Sequence, residues 1–162
     1  MLVFACDHLE IKLPEQHRFP IQKYGLLRKR VQNLKTVKIC YPMKPSRRIL
    51  RRVHSEEYID RVFKGELSTK ELQSIGFPWS AELVQRSLYS VGCTISAALE
   101  SIEGKLSCSL AGGTHHAGYD YGEGFCVFND VAIAVSLLRA KYPELKILVV
   151  DTDVHQGNGT AD

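Results

Sequence analysis

The chain has 162 residues, of which 44% are hydrophobic, 24% charged and 9% aromatic, enough apolar side chain for one domain core and too little charge to keep the chain unfolded. Lys and Arg number 21 against 18 Asp and Glu, a net charge of +3, which is too weak a bias to imply a nucleic-acid surface. No apolar run approaches the roughly 20 residues that cross a bilayer, and MLVFACDHLEIK at the N-terminus lacks the basic start of a secretory signal, so a cytoplasmic protein with no membrane contact is expected.

Leu2 to Ala5 and Val37 to Cys40 are apolar runs of strand length, separated by a predicted helix over Gln22 to Leu34 with Leu26, Leu27, Val31 and Leu34 on one face. That pattern opens a β–α–β unit. The basic clusters at Leu27 to Val31 and Arg47 to Arg52 read as solvated faces. Ser55 is placed to cap a helix that carries Glu56 and Glu57 in its first turn and ends at Gly65. Ser68 to Glu71 has the S-x-x-E form of a capping box. After Pro78-Trp79-Ser80, the residues Val84, Leu88, Val91, Ile95, Ala98 and Ile102 recur at helical spacing until Gly104. A strand at Ser107 to Leu110, a helix from about Asp130 to Ala140 and a strand at Lys146 to Val150 complete the pattern. The last two strands are expected to be parallel. The five cysteines, Cys6, Cys40, Cys93, Cys108 and Cys126, are scattered without a C-x-x-C pair and read as reduced, mostly core residues.

Two glycine-containing loops, AGGTHHAGYDYGEGF and DTDVHQGNG, each follow a predicted strand. Ligands bind beyond the carboxyl ends of strands in open α/β sheets, so both loops are expected on one edge of the sheet. Asp151, Asp153 and His155 stand at alternate positions; in extended backbone all three side chains face one point, and carboxylate plus imidazole suits Zn²⁺, Fe²⁺ or Mn²⁺. His115 and His116 would then supply an acid and a base beside a metal-bound water, with Asp151 and Asn158 as partners that fix their tautomers. Phe125, within a glycine-containing turn, is a candidate pocket wall, Phe128 a core residue, and Cys126 no nucleophile because no base neighbours it. Neither G-x-S-x-G nor a P-loop pattern is present.

GGTHHA at Gly112 to Ala117, GFCVFND at Gly124 to Asp130 and DTDVHQGNG at Asp151 to Gly159 resemble, in this order and spacing, the histone deacetylase superfamily. HRFP at His17 to Pro20, VHSEEYI at Val53 to Ile59 and PWSAELVQRS at Pro78 to Ser87 extend the likeness over most of the chain. The resemblance implies a three-layer αβα, arginase-like α/β fold with a mainly parallel sheet, and hydrolysis of an N-acyl amide, typically acetyl-lysine, at one zinc. It implies Asp153 and His155 as zinc ligands and His115 and His116 as the catalytic pair, with His116 the general base and acid. Asp151 would pair with His115 and resembles part of the family's structural potassium site, while Gly124 and Phe125 resemble the wall of the acyl-lysine tunnel.

His155-Gln156 and Gly157-Asn158-Gly159 stand where many members have His-His and Gly-Asp-Gly, which resembles the class IV branch and related bacterial proteins. A neutral Asn158 supports a protonated His116 less well than a carboxylate does. The family's third zinc ligand, a later aspartate, and its oxyanion-binding tyrosine have no place before Asp162. Residues 1–162 are therefore expected to be the N-terminal part of a single deacetylase domain, incomplete at the C-terminus and inactive alone, with Lys146 to Val150 as an open apolar edge. The expected partner is acetylated lysine or a small acetylated amine; the sequence leaves the oligomeric state open. The alternatives are a manganese ureohydrolase of arginase type and a noncatalytic acyl-lysine-binding module.

Overall fold

A computed structural model describes residues Met1–Asp162. Three short strands, β1 (Leu2–Phe4), β2 (Lys38–Cys40) and β3 (Ser107–Ser109), form a parallel sheet in the order β2-β1-β3, with Val3 opposite both Ile39 and Cys108. Val3 occupies the central strand and is fully buried. Helix α1 (Lys23–Val31) links β1 to β2, as the opening pattern predicts. Its expected apolar face does not pack: α1 buries none of its residues, and Leu26, Leu27 and the following Leu34 are exposed. Spacing creates such a face, but burial needs a partner surface.

Helix α2 (Arg47–Leu50) leads to three capped helices. Ser55 accepts the Tyr58 N–H at the start of α3 (Glu56–Lys64), which ends at Gly65. Ser68 and Glu71 form the reciprocal capping box of α4 (Thr69–Ile75). Ser80 accepts the Leu83 N–H at the start of α5 (Ala81–Glu100), and a 3₁₀ turn at Ser101–Glu103 carries the chain to Gly104. Each cap satisfies a donor that the first turn leaves unpaired.

Helix α5 is the organising element. Leu83, Val84, Leu88, Val91 and Ile95 enter the main core with Tyr58, Ile75, Phe128 and Ile133, while Cys93 and Ala97 pack with Phe4, Cys6 and Ala111 near the sheet. The chain after β2 crosses α5 at Gly92, where a Cβ would lie 2.0 Å from the Met43 carbonyl oxygen, so only glycine fits that crossing. Helix α6 (Asp130–Lys141) packs against α5, and a short α7 (Asn158–Ala161) follows the second loop. No helix is long and apolar enough to cross a membrane.

One predicted strand is absent. Lys146 to Val150 makes no ladder hydrogen bond, and Leu148 and Val150 are 85% and 72% exposed. β-branched composition favours a pleated surface only where a neighbouring strand offers its N–H and C=O groups. Here the sheet ends at β3, so the expected parallel pairing does not form.

Candidate active site

The loop after β3 is held at both ends by buried polar groups. Asp130, at the start of α6, is fully buried and accepts the Gly113 N–H at 3.0 Å, the Thr114 N–H at 2.7 Å and the Thr114 hydroxyl at 2.6 Å. The Thr94 hydroxyl of α5 is a fourth donor. On the far side, the N-cap residue Asn129 accepts the Ala132 N–H and donates to the Ala117 carbonyl at 3.1 Å. The Asn129 N–H donates to His54 Nε2 at 2.9 Å, and His54 Nδ1 donates to the Gly118 carbonyl at 2.8 Å. Burial pushes the His54 pKa down to about 4, against the pull of the Gly118 and Tyr119 carbonyls, so the ring is neutral near pH 7. Asp130 and His54 thus bracket His115 and His116. Sequence reasoning assigned neither residue this role, although VHSEEYI and GFCVFND contain them.

Between these anchors the two imidazoles diverge, as adjacent side chains do. His115 is buried, with Nδ1 2.6 Å from Asp151 Oδ2. His116 is half-buried, with Nδ1 2.6 Å from Asn158 Oδ1. The ring centroids are 4.3 Å apart. The His115 hydrogen bond, then the Asp153 N–H, hold the Asp151 carboxyl below its usual range. Both contacts join the first loop to the second, although the strand expected before the second loop does not form.

Gly124 closes against His116: a Cβ at this position would lie 2.7 Å from His116 Cδ2. Phe125 has φ 68°, the one non-glycine residue in the left-handed region. Its N–H donates to the Ile75 carbonyl at 2.7 Å, and the Gly124 N–H donates to Ser74 at 3.0 Å, which fixes the turn. The Phe125 ring packs 4.9 Å from Phe19 and 5.1 Å from Phe77, with the Arg18 guanidinium 4.9 Å from its centroid. His17 braces this group through its Nε2 to the Gly76 carbonyl and by stacking on Phe77. Phe128 lies in the core, and burial pushes the Cys126 thiol up to about 11, away from nucleophilic use.

The D-x-D-x-H residues divide instead of converging. Asp151 turns to His115 and also accepts the Asp153 N–H at 3.0 Å; Asp153 in turn accepts the His155 N–H at 2.7 Å. Successive aspartate turns replace the extended backbone that would align all three side chains. Asp153 Oδ1 and His155 Nδ1 remain together at 2.9 Å, both exposed, with the His155 ring 5.9 Å from that of His116. Carboxylate and imidazole are zinc donor types, and two donors on a tetrahedral zinc are roughly 3.3–3.6 Å apart, given bonds of about 2.0–2.2 Å, so the hydrogen-bonded pair would open by a few tenths of an ångström to hold it. No third His, Cys, Asp or Glu side chain joins them to make a three-donor cluster.

Parallel strands flanked by helices, with paired histidines and an Asp–His pair on adjoining loops, define an α/β protein of the arginase–deacetylase fold class. A crystal structure of a histone deacetylase homologue complexed with SAHA superposes with a TM-score of 0.80 at 24% identity, over 98% of this chain and 45% of that one. The histone deacetylase domain matches residues 15–162, and the chain belongs to that family. An uncharacterized protein of Picosynechococcus sp. is 43% identical over 99% of this chain and 54% of its own length. The acetoin utilization protein AcuC of Bacillus subtilis is 31% identical, and histone deacetylase 8 of Xenopus tropicalis 28%, each over 44% of its own length. The chain thus spans about half the length of these relatives.

Proposed function

We propose that this chain carries the acid–base half of a zinc-dependent amidohydrolase that deacetylates acetyl-lysine or a related acetylated amine. The observation that carries the reading is His116: its Nδ1 is committed to the Asn158 carbonyl, which leaves Nε2 free as a base beside Gly124 and His155. Asp153 and His155 would hold zinc, with a third donor drawn from the length that the relatives have beyond this match. Zinc, when bound, polarises an acyl carbonyl and an attacking water. His116 takes the water's proton through Nε2 and returns a proton to the leaving amine. His115, backed by the Asp151 carboxylate, supports positive charge next to it. Gly124 and Phe125 form one wall for the acyl-lysine stem, with Phe125 as its apolar surface.

Family membership and the ligand named with the solved homologue support this reading. The ureohydrolase alternative needs donors for two ions, and Asp151 is committed to His115 instead. A cytoplasmic protein suits the five free cysteines, and the Asp151 position is where a structural potassium ion would be sought. The deciding experiment compares the full-length protein with His116→Ala on an acetyl-lysine peptide. Loss of a general base lowers kcat by about 10²–10⁴-fold, with zinc content unchanged; activity within a few-fold of the parent overturns the role.

A further inference from the structure

We infer that Glu123 is a positioning residue for His116: its carboxylate determines which end of the Asn158 amide faces the imidazole, and therefore which ring nitrogen carries the proton. The two ends of an asparagine amide have nearly the same shape and opposite hydrogen-bonding character. Asp151, facing His115, has no such ambiguity, because both oxygens of a carboxylate accept. At Asn158 the choice has to be made by a third group.

Glu123 is placed to make it. Asn158 Nδ2 lies 3.4 Å from Glu123 Oε2, and Asn158 Oδ1 lies 2.6 Å from His116 Nδ1. A carboxylate only accepts, so the amide nitrogen faces it; the reversed amide would set two oxygens against each other. The Asn158 carbonyl then faces His116 and also only accepts, so Nδ1 carries the hydrogen and the lone pair lies on Nε2. A reversed amide would offer its N–H to Nδ1, move the ring proton to Nε2 and remove the base.

The backbone around Glu123 is suited to this task. Its N–H and C=O bond the Cys126 C=O and N–H at 3.0 and 2.8 Å, and the turn between them is tied to Ser74 and Ile75. The carboxylate is exposed, but its origin is fixed relative to Gly124, the residue against His116. One turn therefore carries both the group that closes on the imidazole and the group that sets its tautomer.

Two measurements on the full-length protein test the inference. Nitrogen-15 NMR of the His116 ring reads the tautomer without requiring turnover. The parent shows Nδ1–H, and Glu123→Ala shifts population towards Nε2–H; an unchanged tautomer ratio overturns the proposal. The kinetic arm rests on the reading of His116 as the base. Glu123→Ala lowers kcat about two- to tenfold, the range of one hydrogen bond, with little change in KM. Glu123→Gln, which retains a carbonyl acceptor, recovers most of the loss. In an Asn158→Asp background Glu123→Ala costs nothing further, because a carboxylate needs no orienting; an equal loss in both backgrounds assigns Glu123 a merely structural role and overturns the proposal. A parent that hydrolyses no acetyl-lysine peptide refutes the deacetylase reading instead, and the tautomer measurement still decides the role of Glu123.

Discussion

The two loops that meet at the candidate site are built to different standards. The segment from Gly112 to Asp130 is tied into the core by a buried carboxylate with four donors and a buried imidazole bridging two strands of backbone. The segment from Lys146 to Gln156 is largely exposed, bonds mainly to itself, and reaches the first loop through Asp151. The loop that carries His115 and His116 is thus preorganised by groups anchored in the core, whereas the Asp153–His155 pair is held by local turns. Rigidity belongs to the loop whose polar groups are anchored in the core.

Removing the anchor of the rigid loop gives the largest expected change. Asp130→Ala removes the buried acceptor shared by the Gly113 and Thr114 N–H groups and the Thr94 hydroxyl, a loss of roughly 3–5 kcal/mol. Denaturant unfolding measures it as a fall in the midpoint, and an unchanged midpoint would show that the loop is held elsewhere. The second anchor gives a pH-dependent effect. With a folded pKa of about 4 against 6.5 for the free ring, His54 binds its proton more tightly in the unfolded chain. Its contribution is fully present above pH 6.5 and is lost as pH falls towards 4, by about 3 kcal/mol in total. His54→Gln, whose amide can donate and accept, should flatten that part of the stability–pH curve; an unaltered slope would assign it to other groups. The exposed loop marks the other extreme. His155→Ala should leave the unfolding midpoint where it is and lower the zinc content of the full-length protein, and retained zinc would remove His155 from the ligand set.

Local signals carried most of the fold. Ser55, Ser68 and Ser80 cap the helices they precede, and the apolar spacing from Val84 to Ile95 is the buried face of α5. Those features depend on residues within a turn or two of one another. The readings that differ from the structure required a distant partner: the Lys146 to Val150 strand lacks a neighbouring ladder, and the Leu26, Leu27 and Leu34 face lacks a surface to cover it. At the site, the contacts of His115 with Asp151 and of His116 with Asn158 were legible because all four residues lie in recognisable loops. The clamp was not legible. Asp130 and His54 resemble ordinary polar residues at helix starts, and only the fold brings Thr94, Gly113 and Gly118 to them.

Phe125 gives the turn at His116 a competing demand. A bulky residue in the left-handed region costs on the order of 1–3 kcal/mol, which glycine would avoid. Phe125→Gly would relieve that backbone cost while giving up the ring's packing with Phe19 and Phe77. Mutational drift judged on backbone comfort alone would therefore move position 125 towards glycine or asparagine. An aromatic retained there across diverging sequences would show that the ring's packing with Phe19 and Phe77 outweighs the backbone cost.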